Sequence, residues 1–218
     1  MIDNILLYIS SGFIICAFIG YLFLIMIGRG KIVAKSNGFD ITKDIISEYN
    51  SINVIESKRY FTIYNIKRRV IKLATRCYYG SDLSSVSLSL MEAGISVIDN
   101  QKNKYIDLFR KIFSNLKILY IFPFIAILIN NASYNISDAK VSIIFLGLFS
   151  VISYMIIDIK SQASEWISNN IKKIKEVSKD NSFKIVSFIN RLLWLDKFIF
   201  FGELIMIIRF VMIMLETS

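Results

Sequence analysis

From Ile5 to Ile27 the chain is almost continuously apolar, interrupted only by Ser10, Ser11 and two glycines. About 20 such residues in a helix cross a bilayer, so this run predicts a membrane-spanning helix. A secretory signal starts basic, whereas Asp3 is the only charge ahead of this run; the expectation is a retained anchor. Three further apolar runs follow. Ile118 to Ile129 contains Pro123 and is extended at its start by Phe113 to Leu116. Val141 to Ile157 comes next, and the Asn- and Ser-rich stretch 130–140 between the two reads as the turn of a membrane hairpin. Phe198 to Leu215 is the last, with Glu203 and Arg209 inside it. Hydrophobic residues make up 55% of the chain, and their concentration in runs makes lipid rather than water the solvent for much of it.

Charge then orients the spans. Residues 28–117 carry sixteen Lys and Arg against eight Asp and Glu, and residues 158–197 carry eight against five. The turn 130–140 holds only Asp138 and Lys140. Four spans place both basic segments on one side, and the excess of Lys and Arg makes that side cytoplasmic. The predicted location is therefore the cell membrane, multi-pass, with the large loop cytoplasmic and both termini outside. The net charge of +9 fits cytoplasmic loops beside anionic lipid. No aromatic-studded basic stripe or nucleic-acid module accompanies it, so no nucleic-acid partner is expected. Cys16 lies in an apolar run and Cys77 in a polar stretch, which suggests neither a disulfide framework nor a zinc knuckle. A single proline in 218 residues favours long helices, and the wealth of Ile, Lys, Asn and Tyr fits an AT-rich bacterial genome.

The expected fold is mostly α, with about four transmembrane helices and a small α+β cytoplasmic segment. Its parts are a first span at 1–28, a cytoplasmic segment at 29–112, a hairpin at 113–157, a basic cytoplasmic segment at 158–197 and a last span at 198–218. Within the large loop, Asp40 or Thr42 is placed to cap a short helix running through Tyr49. Asn53 to Ile55, Tyr60 to Ile63 and Arg69 to Leu73 read as strands. Ser and apolar residues alternate over 84–90, a period of two that suggests another strand. Ser81 and Asp82 just before it suit a helix N-cap.

From Tyr78 to Ile95 the chain reads Tyr-Tyr-Gly-Ser-Asp-Leu-Ser-Ser-Val-Ser-Leu-Ser-Leu-Met-Glu-Ala-Gly-Ile. This resembles the bacterial YugP-like family of membrane zinc metallopeptidases, in which Tyr-Tyr-Gly-Ser leads through a small-residue helix to H-E-x-G-H at the same offset. Ile41 to Asn50 resembles that family's helix after the first span, and Tyr64 to Leu73 its strand pair before the motif. Ile157-Asp158-Ile159 falls where the family has an acidic segment after its third span, and the layout of spans is similar. The resemblance covers most of the chain, with side-chain identity concentrated in 78–95. It implies that 84–95 is a helix, and that the cytoplasmic segment is zincin-like.

In an H-E-x-x-H helix two histidines four apart bind zinc, and the glutamate between them takes a proton from the metal-bound water. Here those histidine positions hold Met91 and Ile95. Glu92 remains as a remnant general base, and the third-ligand position carries Asp158. Isoleucine has no lone pair, and a thioether is a poor ligand for a zinc hydrolase. Without zinc, water keeps a pKa near 15.7, and a lone glutamate has no activated nucleophile to work with. No cofactor is expected, although the family uses zinc; rescue of a metal site through Cys77 would need an accidental convergence. The expectation is a non-enzyme that descends from a zinc metallopeptidase and binds a membrane-protein client or an active homologous peptidase. The alternatives are a peptidase with an altered metal site and a small structural or transport-accessory membrane protein.

Two further features complete the sequence. Glu203 and Arg209 are charges at membrane depth, where ionisable groups are expensive. The plain reading puts Glu203 near the cytoplasmic interface and Arg209 against another helix; Arg209 and Glu216 are seven apart and share a helix face. Gly28 and Gly30 are not part of a phosphate loop, and without histidine no serine has a general base.

Overall fold

The computed structural model describes residues 2–47, 49, 52–58, 62–101, 103–112, 125, 136–174 and 177–216. The helices are α1 (Ile2–Gly28), α2 (Gly38–Ile45), α3 (Thr75–Tyr79), α4 (Leu83–Asn100), α5 (Lys104–Ile112), α6 (Ile136–Asn170) and α7 (Lys179–Glu216), and the strands are β1 (Asn53–Ser57), β2 (Ile63–Asn65) and β3 (Val70–Ala74). A 3₁₀ turn, Ile171–Lys173, follows α6.

Among the described residues three helical stretches, Asn4–Gly28, Lys140–Lys173 and Lys179–Glu216, are long and apolar enough to cross a membrane. They contain the first, third and last expected spans. The second expected span, with Pro123, lies outside the described residues apart from Ile125. Residues 158–197, read from the sequence as a basic cytoplasmic segment, are largely helical. Asp158 to Asn170 extends α6, and α7 begins at Lys179 rather than near Phe198. One polar pair joins these extensions across helices: Ser164 Oγ donates to Asn190 Oδ1 at 2.9 Å.

The chain divides into two compact units. One comprises residues 1–21, 119–157 and 194–218. Its core is Ile14, Leu146, Phe149, Met206 and Phe210. Small residues let its helices close up: a Cβ on Gly202 would sit 3.0 Å from the Ser10 carbonyl oxygen, and one on Gly20 2.9 Å from Leu195. Side chains such as Tyr8, Ile19, Ile144, Leu148 and Leu215 face outward and are exposed. So much apolar outer surface is stable against lipid and not against water.

The other unit comprises residues 22–118 and 158–193. Its sheet has the order β1-β3-β2. β1 runs parallel to β3 with Asn53 opposite Val70, and β2 runs antiparallel to β3 with Tyr64 opposite Ile71. β1 and β3 overlap the expected strands; β2 lies two to three residues later than the 60–63 reading, of which residues 60 and 61 are not described. α2 is capped by Asn37, whose side chain accepts from the Asp40 N–H at 2.9 Å, and not by Asp40 or Thr42. It ends at Ile45 rather than at Tyr49.

The alternating stretch 84–90 is helical, as the family resemblance implied and the period-two pattern did not. Sixteen of the eighteen residues of α4 are buried, so the helix has no wet face to impose a 3.6-residue polar rhythm. Two of its serines instead hydrogen-bond along the backbone: Ser89 Oγ donates to Ser85 O at 2.8 Å and Ser96 Oγ to Ala93 O at 2.7 Å.

Asp82 caps α4, accepting from the N–H groups of Ser84 and Ser85, both at 3.1 Å, and from the Ser85 hydroxyl at 2.7 Å. Partial burial alone would raise its carboxyl pKa. The Ser84 and Ser85 hydroxyls, the Ser85 N–H and the Arg76 guanidinium outweigh burial and hold it below the ordinary value. A depressed carboxyl stabilises the fold above the unfolded pKa, and that contribution fades as pH falls through the folded value. Asp82→Ala is expected to cost about 1 kcal/mol at neutral pH. In denaturant titrations the gap to the parent should close as pH drops below about 4.

Candidate functional site

The candidate site lies on α4. Met91 and Ile95 stand four apart on one face, both buried. A thioether and an alkyl group there pack as core and offer a metal nothing of the hardness zinc hydrolases use. Beside them, Glu92 and Asp99 are seven apart and share a second face.

These two carboxylates converge on a single residue. Glu92 Oε2 accepts the backbone N–H of Tyr64 at 2.7 Å, and the Tyr64 hydroxyl donates to Asp99 Oδ2. Tyr64, Glu92 and Asp99 are all buried. The tyrosine is thus held at its main chain and at its ring tip by one helix. Because β2 is a sheet edge, the Glu92 contact also satisfies an edge N–H with a charge-assisted bond. The position that would carry the general base is occupied in fastening β2 to α4. Sequence reasoning missed Tyr64 and Asp99. The heptad spacing of Glu92 and Asp99 was the available signal, but their target lies 28 and 35 residues away.

The motif helix is closed on another side by α6. A Cβ on Gly94 would lie 3.0 Å from the Ala163 carbonyl oxygen and 3.0 Å from Ile167 Cδ1, so even a methyl group is crowded there. Asp158 is on α6, half-buried, and accepts from Gln162 Nε2 at 2.7 Å. Gln162 Oε1 in turn accepts from Asn103 Nδ2 at 3.0 Å, and Asn103 Oδ1 accepts from the Tyr105 N–H at the start of α5. Asp158 therefore belongs to a chain of side chains linking α6 to α5. Cys77 is buried in α3, and its carbonyl accepts from Ser89 Oγ at 3.5 Å.

Among the described residues no three His, Cys, Asp or Glu side chains come together as a ligand group. The donors at the motif are one thioether and one carboxylate already bonded to Tyr64. This set does not fit a catalytic zinc. An open groove of about 270 Å³ between α6 and α7, lined by Ser161, Ser164, Glu165, Ser168, Asn169 and Asn190 among others, takes no residue from α4.

Glu203 and Arg209 lie in the other unit, 0% and 1% exposed. Both are enclosed by protein. Arg209 stacks its guanidinium 5.4 Å from the centre of the Phe210 ring. The Ser153 hydroxyl stands near Glu203, and among the described residues neither carboxylate oxygen has a partner in hydrogen-bond geometry. Unsatisfied buried polar atoms cost about 1–3 kcal/mol. Glu203→Leu is accordingly expected to raise stability by roughly that amount, seen as a higher unfolding midpoint in detergent. A lowered midpoint would mean that the carboxyl holds a partner.

No family model, curated protein or solved structure matches the chain.

Proposed function

We propose that this chain is a catalytically degenerate relative of the membrane zinc metallopeptidases. It acts by binding a membrane-protein client or an active relative, with its large loop cytoplasmic and both termini outside. The observation that carries the reading is the fate of the motif. Residues 83–100 form a helix beside a small sheet, with Met91 and Ile95 buried at the ligand positions and Glu92 spent on Tyr64. Such a helix keeps the frame of a zincin while its reactive groups serve packing. The spanning helices hold that frame at a bilayer, where a client with its own membrane helix is concentrated beside it.

The test is to restore the ligands. A Met91→His/Ile95→His variant is expected to gain zinc binding in detergent while keeping the helical content of the parent. A folded variant that takes up no zinc would overturn the kinship and leave a structural or transport-accessory protein. A parent chain that already holds zinc would favour a peptidase with an altered metal site.

A further inference from the structure

Two basic segments that are far apart in sequence come together at the end of α1. Arg29, Lys31 and Lys35 follow directly on that apolar helix, and all three are exposed. Lys172, Lys173, Lys179 and Lys184 flank the start of α7 and are also exposed. Ala34 pairs with Val177 in an antiparallel bridge, and Asn181 Nδ2 donates to the Val33 carbonyl at 2.9 Å across 148 positions. Asp180 is the one acidic residue among the described residues of 29–35, 171–174 and 177–184.

A run of lysines is ordinarily a solvated face, but two apolar side chains argue otherwise here. Ile32 is 75% exposed and Phe183 77% exposed, each set among the lysines with its apolar surface bare. Water does not favour that arrangement, whereas a headgroup layer does: the apolar groups enter the acyl boundary and the cations meet phosphate. Distance agrees. A Cβ on Gly28, the last residue of α1, would touch the Phe188 ring at 3.0 Å, which sets α1's end level with Phe188. At 1.5 Å per residue, Lys184 and Lys179 lie roughly 6 and 14 Å beyond that level along α7. That range spans the headgroup region and about one Debye length.

We propose that residues 29–35, 172–173 and 179–184 form one surface that binds the anionic phospholipid headgroups of the membrane that α1 enters. The surface is independent of the α4 motif and stands whether or not the chain descends from a peptidase. The patch begins one residue after a membrane-spanning helix, so lipid phosphate is the partner always within reach.

The test uses the full chain in detergent. Its unfolding midpoint is measured in mixed micelles containing phosphatidylglycerol, phosphatidylcholine, or no lipid with inorganic phosphate. Phosphatidylglycerol is expected to raise the midpoint by roughly 5 °C over phosphatidylcholine, with the gain shrinking as salt is added. A Lys172→Gln/Lys173→Gln/Lys179→Gln/Lys184→Gln variant should lose that difference. A variant with the same charge loss elsewhere (Lys43→Gln/Lys67→Gln/Arg68→Gln/Lys104→Gln) should keep it. Each variant is compared with itself between lipids, so a change in basal stability does not affect the reading. Equal effects of the two lipids, an equal effect of inorganic phosphate alone, or equal loss in both variants would overturn the proposal.

Discussion

Glu92→Leu is expected to destabilise the protein by about 2–3 kcal/mol, whereas Glu92→Gln should cost much less. Leucine leaves the Tyr64 N–H buried with no acceptor at the place where Glu92 Oε2 now stands 2.7 Å away. Glutamine still offers a carbonyl oxygen in the same position and loses only the charge assistance. In a working zincin the order reverses: the Glu-to-Gln change removes the proton acceptor and abolishes turnover while the fold tolerates it. Denaturant unfolding of both variants separates the two roles. If Leu and Gln were tolerated alike, Glu92 would not be the fastening of β2.

Gly38→Ala is expected to be the harsher change, costing about 3 kcal/mol or more or preventing accumulation of folded protein. A Cβ at this position would lie well inside 3 Å of the Cys77 carbonyl oxygen and 2.8 Å from Ser89 Oγ. The Gly38 N–H also donates to the Gly80 carbonyl at 2.9 Å. The obstacle is main chain from α3, which cannot rotate away as a side chain end does. α2, α3 and the motif helix meet here, so the damage should reach α4. Gly30→Ala is the contrasting control. It has open space around its Cβ position but φ of +76°, so only the backbone penalty of about 1 kcal/mol applies. Expression level and unfolding midpoint of the two variants check the ranking.

What could be read in advance followed physical regularity. Ile5 to Ile27 is legible because lipid selects for a run of apolar residues, and the strands at 53 and 70 because β-branched residues recur within them. α4 is illegible from periodicity because it is buried almost all round, and the pointers to a helix were the capping residues Ser81 and Asp82 and the likeness of 78–95 to a known motif. The helical extensions at 158–170 and 179–197 escape a hydropathy reading because they are rich in polar residues, which a helix carries equally well outside lipid. The fastening of Tyr64 by Glu92 and Asp99 depends on a strand and a helix meeting in space, which local patterns do not encode. The motif positions Met91, Glu92 and Ile95 were therefore findable as positions, while the structural use of Glu92 was not.

The most direct test of a motif given over to packing is the zinc content of the purified parent chain. The protein is equilibrated with zinc in detergent, freed of excess and assayed for metal per chain. A ratio near zero is the predicted result, with Met91 and Ile95 offering no ligand set and Glu92 bonded to Tyr64. A ratio near one would contradict the account, and would direct attention to Glu92, Asp158 and Cys77 as ligands of an altered but working centre.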